Sequence, residues 1–171
     1  MKNRFSNLPH IDTIGHYQFI TFRTNDSIDN LLKKLSKENI KTEIKQYKID
    51  TYLDNSSNGC YLNAEVLEYL KNFFLKQDNI LYELVAFCVM PNHIHILFKQ
   101  KVELAQIMKK LKGSSANSIN KLLGKKGKFW ESSYYDKGIR DERHLMLTYE
   151  YIKNNPLKVG LDKNRFYGIY E

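Results

Sequence analysis

The chain has 171 residues, 42% of them apolar and 13% aromatic, with only 3 Pro, a composition that argues against extended disorder and suits one folded domain. Lysine and arginine exceed aspartate and glutamate by 27 to 19, and the resulting net charge of +8 puts polyanions, nucleic acid first, at the head of the ligand classes. No run approaches the roughly 18 apolar residues of a membrane span, and residues 1–9 lack an apolar leader core. Cys60 and Cys88 fit neither a disulfide framework nor a metal knuckle, so reduced thiols, a cytoplasmic location and no membrane partner are expected.

Residues 17–23 are rich in aromatic and β-branched types and read as a strand, followed by turn and N-cap chemistry at Asn25, Asp26 and Ser27. From Ile28 to about Leu53 the pattern is helical and lysine-rich, with Leu31, Leu32, Leu35, Ile44, Tyr47 and Ile49 as expected core contacts and the lysines solvated. Residues 54–59 form a loop, and Asn63 opens an amphipathic helix carrying Val66, Leu67, Leu70, Phe73 and Phe74 on one stripe. Residues 82–90 are almost continuously apolar, as in a central strand, and the Pro91–Asn92 turn joins them in a hairpin to a strand that opens on His93.

A further helix over 103–123 aligns Leu104, Ile107, Met108, Leu111, Ser115 and Leu122 inward and leaves lysines outside. After the cationic loop at 124–128, Phe129, Trp130 and residues 133–135 return to the sheet. Asp141 caps a last helix that runs to about Asn154, where Pro156 helps to stop it. This order predicts an α+β, ferredoxin-like split βαβ sandwich with an antiparallel sheet, in one domain over 1–171 with a helical insertion at about 28–58.

His93 and His95 lie two apart on a strand, so both side chains share one face while Ile94 and Ile96 take the other. Two imidazoles so placed begin a divalent-metal site, and on spacing alone they are equally a pair of satisfied strand histidines. On the last helix Tyr151 and Asn155 are four residues apart and share a face, with Leu145, Tyr149 and Ile152 on another. If that face lies over the histidine strand, Asn155 offers a side-chain oxygen as third ligand and Tyr151 a nucleophile beside a Lewis acid.

The Val-Met-Pro-Asn-His-Ile-His run at 89–95, with Tyr-Ile-Lys-Asn-Asn-Pro-Leu-Lys-Val-Gly-Leu at 151–161, carries a specific pattern. Further segments agree with it in order: 21–27, 59–62, 104–112, Phe129–Trp130, 134–136 and 139–141. Across these the sequence resembles the HUH single-strand DNA transposases that use one tyrosine, especially the REP-associated tyrosine transposases. The resemblance implies His93, His95 and Asn155 as ligands of Mg²⁺ or Mn²⁺ and Tyr151 as catalytic nucleophile. It also implies single-stranded DNA bearing a hairpin or palindromic repeat as substrate, and a 5′-phosphotyrosine intermediate. Such proteins commonly continue into a Trp- and Ser-rich tail, whereas the sequence here ends shortly after Arg165, which puts tail-mediated DNA contacts in doubt.

Lys109, Lys110, Lys112, Lys125, Lys126, Lys128, Arg140, Lys153 and Lys158 are candidate phosphate contacts, and Trp130, Tyr134 or Tyr135 candidate stacking platforms for an unpaired base. His144, seven residues before Tyr151, reads as a surface histidine. The base that deprotonates Tyr151 is not identified by the sequence, and monomer and homodimer both remain open. A competing reading is a non-catalytic nucleic-acid-binding module on the same fold, which would bind without cleaving. An unrelated metal hydrolase lacks a third His or carboxylate at familiar spacing.

Overall fold

The computed structural model describes residues 13–170, and the N-terminal stretch read above for a leader lies outside the described residues. Five strands form one antiparallel sheet: β1 (Tyr17–Arg23), β2 (Tyr82–Val89), β3 (His93–Gln100), β4 (Tyr135–Gly138) and β5 (Phe166–Gly168). Their order is β4-β1-β3-β2-β5, so the first four make the split βαβ pattern of the ferredoxin-like sandwich and the short β5 extends the β2 edge. That extra strand went unread in the sequence because three residues are too few to display a period.

Among the described residues five α-helices complete the fold: α1 (Asn30–Ser36), α2 (Thr42–Asn55), α3 (Ala64–Lys76), α4 (Leu104–Leu123) and α5 (Glu142–Lys158). Alternation on the strands divides the apolar residues into two layers. Ile20, Phe22, Ile94, Ile96 and Phe98 pack with α3 and α4, while Phe19, Val85, Cys88 and Leu97 pack with Leu145, Tyr149 and Ile152 of α5. His93 and His95, in alternation with Ile94 and Ile96, therefore point to the α5 side.

The lysine-rich segment is two helices rather than one, joined through residues 37–41. They meet on a narrow stripe of Leu32, Ile49 and Leu53, so Leu31, Ile44 and Tyr47, expected in the core, are exposed. A two-helix layer buries one face only, and these three lie on the other. Leu122 is likewise exposed, with Ile119 buried in its place at the end of the α4 stripe. At α5 the helix continues through Pro156 to Lys158 instead of ending near Asn154. Pro156 removes one i→i−4 hydrogen bond near the end of the helix without stopping it, and Asn155 stays in helical register with Tyr151.

Two devices fix α2 near the histidine strand. Gly59, after the helix, has φ +64 and sits so close that a Cβ there would lie 2.3 Å from Thr24 Oγ1, while its carbonyl accepts from that hydroxyl at 2.9 Å. Asn92, in the β2–β3 turn, donates to the carbonyls of Leu53 at 3.0 Å and Asn58 at 3.3 Å. The C-terminal end of α2 is thus tied to the residue that precedes His93. Among the described residues no helix is long and apolar enough to cross a membrane.

Candidate active site

The imidazoles of His93 and His95 are fully buried, with ring centroids 4.9 Å apart. Because the Asn92 amide nitrogen donates to two carbonyls, its oxygen is the atom left to face His93 Nδ1, 2.8 Å away. Nδ1 therefore carries the proton and Nε2 presents a lone pair. His95 Nδ1 pairs with Thr21 Oγ1 at 2.7 Å, across the β1–β3 register that sets these residues opposite each other. Both Nε2 atoms are buried without a hydrogen-bond partner. Burial, reinforced by the Lys158 and Arg23 charges, lowers the pKa of His93 to about 3, and burial with the nearby His93 and Lys158 holds His95 well below its ordinary value. Both rings are neutral donors at physiological pH.

From α5, Asn155 brings its buried amide to the same side, within reach of the Tyr151 hydroxyl. One turn earlier the Tyr151 ring stands edge-on to His95, centroids 5.5 Å apart, and edge-on to Phe19 at 6.0 Å. The four residues singled out for metal and nucleophile are thus brought together within a single chain. Burial and the adjacent Asp50 carboxylate push the Tyr151 phenol well above its ordinary pKa, so it rests protonated.

α2 supplies two groups that sequence reasoning missed. Asp50 is 2% exposed, accepts the Tyr151 hydroxyl at 2.9 Å on Oδ2 and accepts Gln46 Nε2 at 2.8 Å on Oδ1. Burial raises its pKa to about 7 despite those two donors. One turn on, the Asp54 side chain is 3% exposed, with Oδ2 3.2 Å from Lys158 Nζ and Oδ1 3.6 Å from His93 Nε2 and otherwise unpartnered. The Lys158 ammonium also lies 5.4 Å from the centre of the Tyr151 ring. In the sequence the only trace of this is that Asp50 and Asp54 alternate with the apolar stripe of Ile49 and Leu53 on an otherwise lysine-rich helix.

Donor atoms of Asp50, His93 and His95 lie within 4.8 Å of one another. With the orphaned Nε2 atoms, the Asn155 oxygen and Asp54 Oδ1, they form a mixed nitrogen and oxygen donor set that fits a divalent cation. Buried polar atoms without partners are otherwise costly, and a cation would satisfy them together.

The remaining expected contacts are dispersed. Lys109 and Lys110 are exposed on α4, across the sheet from the histidines, and Lys126 and Arg140 are exposed on loops. Lys112 is turned inward, donating to the carbonyls of Glu131, Ser132 and Ser133 and lying 5.7 Å from the Tyr134 ring centre. Lys125 is held by Asp26 and Tyr61, and Lys128 by the Ser132 hydroxyl. Lys153 is partly buried on α5. Trp130 is 4% exposed, stacked edge-on to Phe22 and donating its indole N–H to Ser115 Oγ at 2.9 Å. From there it is a core residue and not a platform for a base. His144 is half-buried, with Nδ1 accepting the Arg140 N–H at 3.3 Å.

Comparison with known proteins adds to this geometry. The structure resembles that of the REP-associated tyrosine transposase bound to a REP hairpin, at 17% identity and TM-score 0.53, over 93% of this chain and 77% of that one. It also aligns with a Deinococcus radiodurans protein described as a candidate transposase, at 19% identity and TM-score 0.46, over 91% of this chain and 98% of that one. No curated protein sequence matches significantly. The family model described as "Transposase IS200 like" matches residues 55–155, a span that takes in the histidine strand, Tyr151 and Asn155. That match covers more than half of the chain, which therefore belongs to the IS200-like transposase family.

Proposed function

We propose that this protein nicks and rejoins single-stranded DNA at hairpin or palindromic repeats, with Tyr151 as nucleophile and Mg²⁺ or Mn²⁺ held by His93, His95 and Asn155. The observation that carries the reading is the Tyr151 hydroxyl, 2.9 Å from the buried Asp50 carboxylate and on the same side as two unpartnered histidine Nε2 atoms. The bound cation would polarise the scissile phosphate and offset charge that develops on its oxygens.

The chain's own groups account for the rest. Asp50 accepts the phenolic proton as the Tyr151 oxygen attacks phosphorus, which supplies the base that a phenol of raised pKa needs. The bond from phosphorus to the 3′ oxygen breaks, and that oxygen leaves as a free 3′-OH after taking up a proton. DNA then stays on the enzyme by a 5′-phosphotyrosine bond. Attack by an incoming 3′-OH reverses the step, returns the proton to Tyr151 and rejoins strands with no external energy. Asp54, between Lys158 and His93, fixes the charge balance on the far side of the pair and offers one further oxygen to the cation. The contact between Tyr151 and His95 of the same chain supports a reading in which each protomer uses its own tyrosine.

The reading is tested with hairpin-bearing single-stranded DNA and Mn²⁺. A denaturation-resistant protein–DNA adduct is expected with the native chain and none with Tyr151→Phe. Salt-sensitive binding with no adduct on any repeat substrate would instead favour a binding module.

A further inference from the structure

On the α5 side of the sheet, α2 and α5 part to leave a groove of about 290 Å³ that opens to solvent and runs down to the catalytic pair. Its floor is aromatic, formed by Phe19 of β1 and Tyr135 of β4 with ring centroids 6.3 Å apart. Its rim carries Tyr47 from α2 and Leu147 from α5, 62% and 61% exposed. Asp50 and Tyr151 line its inner end. Large apolar side chains left in water around an aromatic floor mark a surface made to be covered. A volume of about 290 Å³ suits one flat ring.

We propose that this groove is a subsite for a single unpaired nucleobase of the cut strand, the one next to the phosphate that Tyr151 attacks. The inference rests on the proposed strand cleavage and adds how the strand is held. The occupant follows from continuity with the nucleophile: the nucleotides flanking that phosphate lie within one residue's reach of the phenol, and the groove begins there. A base seated on Phe19 and Tyr135 and covered by Tyr47 gains stacking that any base can supply, while its backbone stays at the Tyr151 hydroxyl. Seating a base also keeps the strand from pairing at the cleavage point. The basic loops and α4 lie elsewhere, and Lys137 and Glu43, which also line the groove, pair with each other at 3.4 Å, so this subsite acts chiefly through stacking.

The test uses Tyr151→Phe protein, which holds DNA uncut, and substrates with 2-aminopurine placed one position at a time around the cleavage site. Fluorescence is expected to be quenched on binding at one adjacent position, with the quench lost in the added Tyr47→Ala change and kept in Tyr47→Phe. In cleavage by the otherwise native chain, an abasic residue at that position should raise KM by on the order of tenfold, and Tyr47→Ala should abolish the difference between intact and abasic DNA. Tyr47 is exposed, so its removal leaves the fold intact. A quench that Tyr47→Ala does not change, or no quench at any adjacent position, overturns the subsite even where adducts form. Absence of an adduct on every intact substrate defeats the cleavage reading instead, while the fluorescence result still decides the groove.

Discussion

The Tyr151 hydroxyl donates to Asp50 across 101 residues of sequence, joining the last helix to the segment between β1 and α3. The contact gives the phenol an acceptor inside a site whose histidines are both neutral. It places α2 at the candidate site, where the proposed reaction uses Asp50 as the proton acceptor.

Replacing Asp50 by Asn keeps the shape and removes the proton acceptor. Adduct formation should fall by roughly 10²- to 10⁴-fold, the usual worth of a positioned general base. In the native protein the rate should rise with pH as the carboxyl, raised by burial to about 7, ionises. The Asp50→Asn profile should be flat over that range, as read from single-turnover adduct formation between pH 5 and 8. An unchanged profile would show that another group takes the proton.

The same substitution has a distinct signature in stability. Asp50 has a folded pKa raised from 3.8 to about 7, so its contribution is greatest below pH 3.8 and is lost as pH rises through about 7. Without added metal, Asp50→Asn should therefore gain in Tm relative to the native chain as pH moves from 5 to 8. The full ionisation penalty is on the order of 4 kcal/mol, of which roughly 3 kcal/mol falls between pH 5 and 8. Thermal melts at the two pH values check this, and a relative loss at pH 8 would contradict it.

Asn92 holds His93 in the tautomer that presents Nε2, and ties α2 to the same turn. Asn92→Ala should weaken Mn²⁺ binding by about 10- to 100-fold, as expected when the partner that orients a metal-bound histidine is lost. It should also cost about 1–3 kcal/mol through the unpaired Leu53 and Asn58 carbonyls. Calorimetric titration with Mn²⁺ separates the two effects. His93→Ala should abolish the rise in Tm that Mn²⁺ gives the native protein.

Trp130 tests the placement of the aromatic residues. With its ring in the core and its N–H on Ser115, Trp130→Ala should destabilise the fold by about 3–5 kcal/mol. Lys109→Ala with Lys110→Ala, on exposed α4, should leave stability near native. Urea unfolding of both variants decides the matter, and a native-like midpoint for Trp130→Ala would remove it from the core.

The sequence by itself determined what depends on neighbours along the chain. Aromatic and β-branched content marked β1, the two-residue strand repeat put His93 and His95 on one face, and the four-residue spacing put Tyr151 beside Asn155. The motif order pointed to the transposase family that the match over 55–155 bears out. Tertiary structure alone decided which side chains those faces meet. Asp50 lies 43 residues before His93, on a helix whose lysines read as a solvated surface, and reaches the site because Gly59 and Asn92 pin the end of α2 there. Lys112 and Trp130 looked suited to DNA by type, but Lys112 is committed to loop carbonyls and Trp130 to the buried Ser115 hydroxyl. Local period dictates which way a residue faces, whereas partner and burial are set by packing between elements far apart in sequence.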